Sequence, residues 1–267
     1  SNHKGIMMKS FAVITPSIGS EYLKRNIESL RGQDCTHYIV MDGQEHVAKI
    51  NPIIMEMGTS QQEKIIFLQQ NVGKGWYGHR VYAAASFLVN EDVLCYLDED
   101  NWVEPNYIES FQQTLSDPKY SWAYTLRNIV TPTGEFVCQD NCESLGHWPV
   151  AFDPSRHHID TGCFAVPRQL AVQVGHHWYG QWGADRQFYK ALTDRNLEYG
   201  CTTKHTLNYR IGSETNRATL EMFTSGNQLS LNRFTGEKNY PWHEQRSPTK
   251  QQSSLMSYQT TTPRPPS

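Results

Sequence analysis

Short apolar runs alternate with amphipathic stretches along the first half of the chain, and this alternation is what most restricts the fold. Four runs have the composition of buried strands: Phe11 to Thr15, His37 to Asp42, Lys64 to Leu68 and Val93 to Leu97. Between them apolar residues recur at helical spacing, as Leu23, Ile27 and Leu30 do. Strands that alternate with helices pair in parallel and carry helices on both faces of the sheet. The sequence therefore predicts an α/β fold with a mainly parallel sheet.

The sequence indicates some of the helices between and after these strands more clearly than others. Arg80 to Val89 is a clear helix, and another is expected to open at Pro105 and to bury Ile108, Phe111 and Leu115. Val47 to Met57 contains Pro52, so a broken helix is expected there.

The residues that follow each strand are polar or rich in glycine. They are Thr15-Pro16-Ser17, Met41-Asp42-Gly43, Asn71 to Gly75, and Asp98-Glu99-Asp100. Parallel strands end at the same edge of a sheet, and ligands of such sheets bind outside that edge. The sequence therefore predicts a ligand site where these four segments meet.

Three consecutive acids, Asp98, Glu99 and Asp100, follow the fourth strand with no basic residue among them. Like charges this close repel, and burial opposes their ionisation. In an extended backbone Asp98 and Asp100 point to one side and Glu99 to the other. Two carboxylates on one side suit a hard cation such as Mg²⁺ or Mn²⁺, whose open positions accept phosphate oxygens. The alternative is an acidic turn that stays in water, as many loops do.

The second half of the chain mixes the two kinds of element. The expected elements are a hairpin of Trp122 to Val130 with Glu135 to Gln139, a strand from His158 to Val166, a short helix ending at Gly175, a helix from Gly183 to Leu192, and a strand from Tyr199 to Ile211. From His243 the composition shifts to Gln, Ser, Thr and Pro, which predicts a low-complexity tail over residues 243–267. We expect one domain over residues 7–242, with a nucleotide-binding half (7–104) and an acceptor half (105–242).

Composition argues against two classes of partner. A net charge of −3 over 267 residues does not suit a protein that wraps nucleic acid. The longest apolar stretch, Val81 to Val89, is too short to span a bilayer. Cys138 and Cys142 are the only close pair among six cysteines, which favours free thiols and a reducing compartment. We expect a cytoplasmic protein with no membrane span and no nucleic-acid partner.

A series of motifs follows in order between Lys9 and Arg217. The motifs are F-A-V-I-T-P-S, V-M-D-G, N-V-G-K-G-W-Y-G-H-R, C-Y-L-D-E-D-N, D-T-G-C-F-A-V-P-R and W-G-A-D-R-Q-F-Y-K-A-L. Together they resemble glycosyltransferases of the GT-A fold, and most closely the inverting enzymes of family 2, with C-Y-L-D-E-D-N as the family's Asp-x-Asp motif. The resemblance implies a Rossmann-like GT-A sheet. It also implies inverting transfer of a hexosyl or related group from a nucleotide diphosphate to a hydroxyl of a saccharide or other acceptor.

The resemblance assigns roles to residues at the sheet edge. The donor-binding residues are Thr15, Pro16, Asp42, Asn71, Lys74, Gly75, Arg80, Asp98 and Glu99. Among these, Thr15, Pro16 and Asp42 would hold the base and ribose, and Lys74 and Arg80 would lie near the diphosphate. Asp98 would reach the ribose or a metal-bound water, and Asp100 would bind Mn²⁺ or Mg²⁺ directly. The Thr15 and Asp42 pattern resembles that of UDP-sugar enzymes, although GDP and dTDP remain open.

Two further residues are assigned in the second half. Asp185 would be the general base, although the family usually has an acid before it and this chain has Ala184. Asp185 also suits a helix N-cap, which would keep it ionised. His205 matches a His that completes the metal shell in some GT-A enzymes and would favour Mn²⁺, whereas a purely structural His is the alternative. Aromatic residues precede Asp185 and could stack on a sugar or pack in the core: Trp148, Trp178, Tyr179 and Trp182.

Other functions compete with this interpretation. Gly73 to Gly78 matches G-x-G-x-x-G after a strand, with Asp98 further on, as in NAD(P)-binding Rossmann oxidoreductases. That match falls after the third strand instead of the first, and it gives Asp100 no role. A non-catalytic nucleotide-sugar binder would need no acid at Asp185. A sugar nucleotidyltransferase would usually have a basic, glycine-rich loop after the first strand, which T-P-S-I-G-S-E-Y lacks.

Overall fold

The computed structural model describes residues 8–58, 60–180, 183–212 and 218–244. Within them the strands are β1 (Phe11–Ser17), β2 (Thr36–Asp42), β3 (Glu63–Leu68), β4 (Val93–Tyr96), β5 (Trp102–Val103), β6 (Trp122–Val130), β7 (Phe136–Gln139), β8 (Phe164–Pro167) and β9 (Tyr199–Arg210). The α-helices are α1 (Leu23–Leu30), α2 (Val47–Met57), α3 (His79–Leu88), α4 (Tyr107–Leu115), α5 (Arg168–Val174), α6 (Ala184–Thr193) and α7 (Leu220–Phe234).

All of these strands join one sheet in the order β3-β2-β1-β4-β8-β6-β9-β5, with β7 beside β6. The first four strands pair in parallel, as predicted, so their carboxyl ends lie along one edge. Strand β8 then runs antiparallel to both β4 and β6, while β6 and β9 pair in parallel. The sheet is therefore mixed, and the predicted α/β fold is confirmed.

Alternate residues of β2 belong to two different apolar clusters, which shows that helices cover both faces of the sheet. Ile39 and Met41 pack with residues of α1 and α2, whereas Tyr38 and Val40 belong to the main core together with residues of α3. Helix α2 is continuous through Pro52, and the expected break is absent. Apolar residues on both sides of the proline pack against this face and hold the helix together.

The structure departs from the sequence prediction in three further places. The strand expected from His158 to Val166 begins only at Phe164, because Asp160 caps a 3₁₀ turn by accepting the N–H of Gly162. Strand β5 was not predicted, and neither was α7, which begins after Thr219 and buries Phe223. The hairpin of β6 and β7 and the helices α5 and α6 are as expected.

The described residues bear on the cysteines and on membrane-spanning helices. All six cysteines lie within it, and all are free thiols. No helix among the described residues has both the length and the apolar character needed to cross a membrane.

The chain after α7 returns to the core. Tyr240 and Trp242 are 2% and 1% exposed, and Trp242 Nε1 donates a hydrogen bond to Asn141 Oδ1 at 2.8 Å. The domain boundary at residue 242 therefore falls at a packed residue. Most of the expected low-complexity tail, residues 245–267, lies outside the described residues.

We expect a chain that ends after Glu244 to unfold with the same free energy as the full chain. A chain that ends after Gly236 should lose at least about 3–5 kcal/mol, the usual cost of removing one buried Trp. Urea denaturation of the two truncations and the full chain measures this difference. Equal stability of the two truncated chains would show that Trp242 does not belong to the folded domain.

Candidate active site

The acidic turn after β4 is fixed by its backbone. Asn26, a fully buried residue of α1, donates hydrogen bonds from Nδ2 to the carbonyl oxygens of Asp98 at 3.0 Å and Asn101 at 3.1 Å. The N–H of Asn101 also donates to the Asp98 carbonyl. These hydrogen bonds fix the backbone of the turn, and none of them involves a carboxylate of the three acids.

The three carboxylates have different surroundings. Tyr82 donates its hydroxyl hydrogen to Asp98 Oδ1 at 2.6 Å. Glu99 accepts hydrogen bonds from Ser17 Oγ at 2.5 Å and from the N–H of Ile18 at 3.1 Å, and thereby fastens the loop between β1 and α1. The backbone carbonyl of Asp100 accepts a hydrogen bond from Arg210 Nε at 2.9 Å, and the Asp100 carboxylate is hydrogen-bonded to the backbone of its own residue.

Burial raises the pKa of all three acids. For Asp100 the pKa rises to about 7, because the charges of Asp98 and Glu99 add to the effect of burial while Arg210 opposes it. An ordinary solvated turn would not show this pattern. The triplet is a desolvated group of like charges, which a cation would stabilise in its ionised form.

A large cavity of about 1010 Å³ opens at the predicted sheet edge. Seven of the predicted donor residues line it: Pro16, Asp42, Asn71, Lys74, Gly75, Asp98 and Glu99. Asp42 accepts the N–H groups of Val72 and Gly73 at 2.8 and 2.9 Å, so it also shapes the glycine loop. A Cβ atom at Gly73 would lie 2.8 Å from the backbone Cα of Gly78 and 2.5 Å from Asp42 Oδ2, so a side chain there would displace the loop or the Asp42 carboxylate.

Two predicted donor residues do not line this cavity. Thr15 is fully buried, and its hydroxyl is hydrogen-bonded to His37 Nε2 at 2.8 Å, because its side chain points into the sheet core. The Arg80 guanidinium lies 4.1 Å from the ring centre of Trp76 and 4.8 Å from that of Tyr179. The Arg80 guanidinium is therefore packed between two aromatic rings, and Arg80 lines neither cavity at the acidic turn.

His205 is likewise absent from the cavity walls formed by described residues. Its ring lies 5.7 Å from that of His243, and it is hydrogen-bonded to the backbone of Asp140. Burial and the neighbouring His243 lower the pKa of His205 to about 4. The structure therefore does not bring His205 to Asp98 and Asp100, and its surroundings are those of a structural histidine.

A second cavity, of about 290 Å³, adjoins the first, and Tyr77, Asp98 and Asp100 line both. Asp185, in the first turn of α6, lies in its wall. Asp185 Oδ1 accepts the N–H of Arg186 at 2.9 Å. Burial and the nearby Asp160 charge raise the pKa of Asp185 to about 7, so its place at a helix start does not keep it fully ionised at neutral pH.

The second cavity also contains a group of residues that had not been assigned a role in the site. Arg127 is buried in β6 and pairs with Asp140 at 2.8 Å, Glu143 at 3.0 Å and Asp160 at 3.1 Å. His158 stands beside them and faces Asp185. One signal in the sequence was available, because an arginine in the middle of an apolar strand calls for buried acidic partners.

The aromatic residues near Asp185 divide between core and surface. Trp148 and Trp178 are 2% and 0% exposed and belong to the core, so they cannot stack on a sugar. Tyr179 is exposed and packs against Trp76 and Arg80, while Trp182 lies outside the described residues. Tyr77 is exposed, and it lines both cavities together with Asp98 and Asp100.

Residues 12–145 match the family model described as "Glycosyl transferase family 2". The chain belongs to this family. The matched segment includes the parallel strands and the acidic turn, and it ends before His158, Asp160 and Asp185. The family match thus covers the acidic turn and most residues that line the larger cavity, but not Asp185.

This chain spans only part of the length of the proteins to which it is similar. An uncharacterized protein of Haemophilus influenzae is 37% identical over 59 residues, which are 22% of this chain and 40% of that protein. The crystal structure of S. aureus TarS 1–349 matches with a TM-score of 0.57 and 13% identity, covering 75% of this chain and 60% of TarS 1–349. The same protein in complex with UDP-GlcNAc matches with a TM-score of 0.58 and 14% identity, covering 84% and 66%. These structures share the GT-A fold with this chain.

We expect the carboxyl groups of Asp100 and Asp185 to lower the stability of the cation-free protein as pH rises from about 4 to about 7, while buried histidines such as His158 and His205, whose pKa values are lowered, act in the opposite direction below about pH 6.5. The pKa values of Asp100 and Asp185 are about 7 in the folded state, against an ordinary value of 3.8. Between these values the folded state binds more protons than the unfolded state, so this stabilisation is present at low pH and is lost as pH rises through about 7. Urea denaturation across this pH range, in the presence of a chelator, measures the slope.

Asp100→Asn cannot ionise and should remove the part of the pH dependence that Asp100 contributes, so the stability of this variant relative to the wild type should rise as pH rises from about 4 to about 7. Asp117→Asn is the control, because Asp117 is exposed at 47% and lies in a surface turn away from the cavities. If the Asp100→Asn and wild-type slopes were equal, Asp100 would not have the raised pKa.

Proposed function

We propose that this family 2 protein is a metal-dependent glycosyltransferase that moves a hexosyl or related group from a UDP-sugar to a hydroxyl acceptor with inversion. The observation that carries the proposal is the position of Asp98 and Asp100 between two adjoining cavities. The larger cavity has the size and the polar loop residues suited to a nucleotide sugar. The smaller one contains Asp185, a carboxylate suited to remove a proton from an acceptor.

The choice of a UDP-sugar rests on the donor side. Asp42 already accepts two backbone N–H groups, and its carboxylate has further lone pairs that can accept the imide N–H of uracil. The TarS structure of similar fold is a complex with UDP-GlcNAc, which supports the same class of donor. Lys74, which lines this cavity, would lie near the diphosphate.

The residues of the acidic turn suit a divalent cation. Asp98 and Asp100 would supply oxygen ligands, and burial raises the pKa of both, so a bound cation would favour their ionised form. Without His205 the ligands are oxygen atoms, which suit Mg²⁺ as well as Mn²⁺. When bound, the cation would stabilise the charge that develops on the leaving diphosphate.

The protein side chains would divide the remaining work. The glycine loop from Gly73 to Gly78 and Asp42 would orient the nucleotide, and Glu99 would hold the β1–α1 loop against it. Asp185 would take the proton of the acceptor hydroxyl as that oxygen attacks the anomeric carbon. A single displacement of this kind inverts the configuration, because attack comes from the face opposite the leaving group.

The competing functions fit the geometry less well. The G-x-G-x-x-G match follows β3, which is the edge strand of the sheet, whereas a dinucleotide-binding unit places it after the first strand. A non-catalytic binder would use the larger cavity but would have no role for the half-buried Asp185 in the wall of the smaller one.

Asp100→Ala should abolish Mn²⁺-dependent UDP binding, because a carboxylate of the cation site is lost. Calorimetry with UDP, with and without Mn²⁺, measures the effect. Asp117→Ala, an exposed acid away from both cavities, should bind as the wild type does. Undiminished metal-dependent binding by Asp100→Ala would exclude Asp100 as a ligand.

UDP should bind more tightly than CDP and GDP in a competition assay: Asp42 can accept a hydrogen bond from an imide N–H, which cytosine lacks, and the similar fold of the TarS complex with UDP-GlcNAc favours uracil over guanine. Asp42→Asn should reduce this preference. Since guanine also offers an N–H group, tighter binding of GDP would reverse the assignment of the base.

Asp185→Asn should keep donor binding and lower turnover by about 10²–10⁴-fold, the usual contribution of a general base. Asp194→Asn, at the exposed end of the same helix, is the matched control and should leave turnover unchanged. The anomeric configuration of the product, read by NMR, should be inverted. A retained configuration, or near-normal turnover by Asp185→Asn, would contradict the mechanism.

A further inference from the structure

His158 is a buried histidine that faces two carboxylates across gaps too long for hydrogen bonds. It is 6% exposed and lies in the wall of the smaller cavity. Its Nε2 atom is 3.7 Å from Asp185 Oδ2 and 3.9 Å from Glu143 Oε1. On the opposite side of the ring, Nδ1 has no hydrogen-bond partner among the described residues.

These surroundings assign the proton of His158 to Nε2. Burial and the charges of Arg127 and Arg186 lower the pKa of His158 well below its usual range, so the ring is neutral and carries one N–H. The two nearby acceptors both lie on the Nε2 side. A proton on Nε2 therefore faces carboxylate oxygens, whereas a proton on Nδ1 would face no acceptor.

Of the two carboxylates, that of Asp185 is the one with an oxygen atom that can move toward His158. Glu143 Oε1 already accepts a hydrogen bond from Arg127 Nη2 at 3.0 Å. Asp185 is held through Oδ1 by the N–H of Arg186, while Oδ2 faces the ring of His158. A shift of less than 1 Å would bring Oδ2 within hydrogen-bond distance of Nε2.

We propose that His158 is the positioning residue of the base: its Nε2–H donates to Asp185 Oδ2 and orients the carboxylate toward the acceptor. This inference rests on the proposed function, since it needs Asp185 to be a base. No proton is transferred in this bond, and the proton of the acceptor passes to a remaining lone pair of the Asp185 carboxylate. His158 would act only through Asp185.

A cation bound by His158, Asp160 and Asp185 is the competing explanation. Ligand atoms of these three residues lie within 4.8 Å of one another. However, Asp160 Oδ1 is already paired with Arg127 Nη1 at 3.1 Å, and a second guanidinium, that of Arg186, lies close enough to lower the pKa of His158. Nearby positive charge disfavours a cation here and favours a neutral donor.

The test compares substitutions that keep different atoms of the imidazole. The amide nitrogen of Gln reaches the position of Nε2, that of Asn reaches the position of Nδ1, and Phe keeps the ring shape without a donor. The reaction is the release of UDP from UDP-GlcNAc, UDP-glucose or UDP-galactose with Mn²⁺ and water as acceptor, since water also needs a base. Calorimetric UDP binding counts the folded sites, and kcat is expressed per binding site.

We expect His158→Gln to keep kcat within about 5-fold of the wild type, while His158→Asn and His158→Phe lower it by about 10- to 100-fold, as small misplacements of a reacting group do. The KM for the donor should change by less than about 3-fold, since the donor side is untouched. In an Asp185→Asn background, His158→Phe should have no further effect, because the two residues act as a unit.

Three results would overturn the inference while leaving the proposed function intact. They are a wild-type kcat in His158→Phe, equal rates in the Gln and Asn variants, and multiplying effects in the double variant. A cation site would instead appear as a loss of Mn²⁺ affinity in both His158→Gln and His158→Phe, with UDP binding in the absence of metal unchanged. If the wild-type protein binds UDP but releases none from any of the donors, the proposed function fails and the role of His158 fails with it.

Discussion

The buried guanidinium of Arg127 is the interaction on which the second half of the site depends. It is 1% exposed and contacts Asp140, Glu143 and Asp160, three acids from segments outside its own strand. A buried charge is tolerated only when it is paired and hydrogen-bonded, so these segments must converge on β6 for the fold to be stable. The same convergence forms one wall of the smaller cavity. Folding and site assembly are thus the same event in this region.

The acidic turn shows the opposite arrangement, in which charge is left without compensation. Hydrogen bonds from the Asn26 side chain fix the turn, yet no salt bridge among the described residues involves Asp98, Glu99 or Asp100, and Arg210 offsets only part of the effect on Asp100. The raised pKa values express the free energy that this arrangement costs at neutral pH. A protein that retains such a group gains from it only when a cation or another positive group binds. Ionisation of these acids therefore lowers the free energy of unfolding of the cation-free protein, and the acids lie where the two cavities meet.

Side-chain direction explains why some expected site residues are elsewhere. Thr15 and Pro16 are neighbours on β1, but successive side chains of a strand point to opposite faces, and only Pro16 reaches the cavity. Arg80 lies at the start of α3, where Trp76 and Tyr179 offer its guanidinium two aromatic faces. His205 lies on β9, a long strand whose register with β6 shifts twice, so its direction could not be read from spacing. Each difference reflects packing that a linear pattern does not contain.

The sequence by itself determined the parallel strands, their common edge and the acidic turn at the end of β4, because apolar periodicity and strand-ending residues are local properties. It also marked Asp185 at the start of a helix. Only the tertiary structure decided that Asp185, His158 and the Arg127 network share a cavity with Asp98 and Asp100. These residues come from distant parts of the chain, and their approach depends on the antiparallel pairing of β8 with β4 and β6. That pairing is selected by long-range packing and by the buried ion pairs, and neither leaves a periodic signal in the sequence.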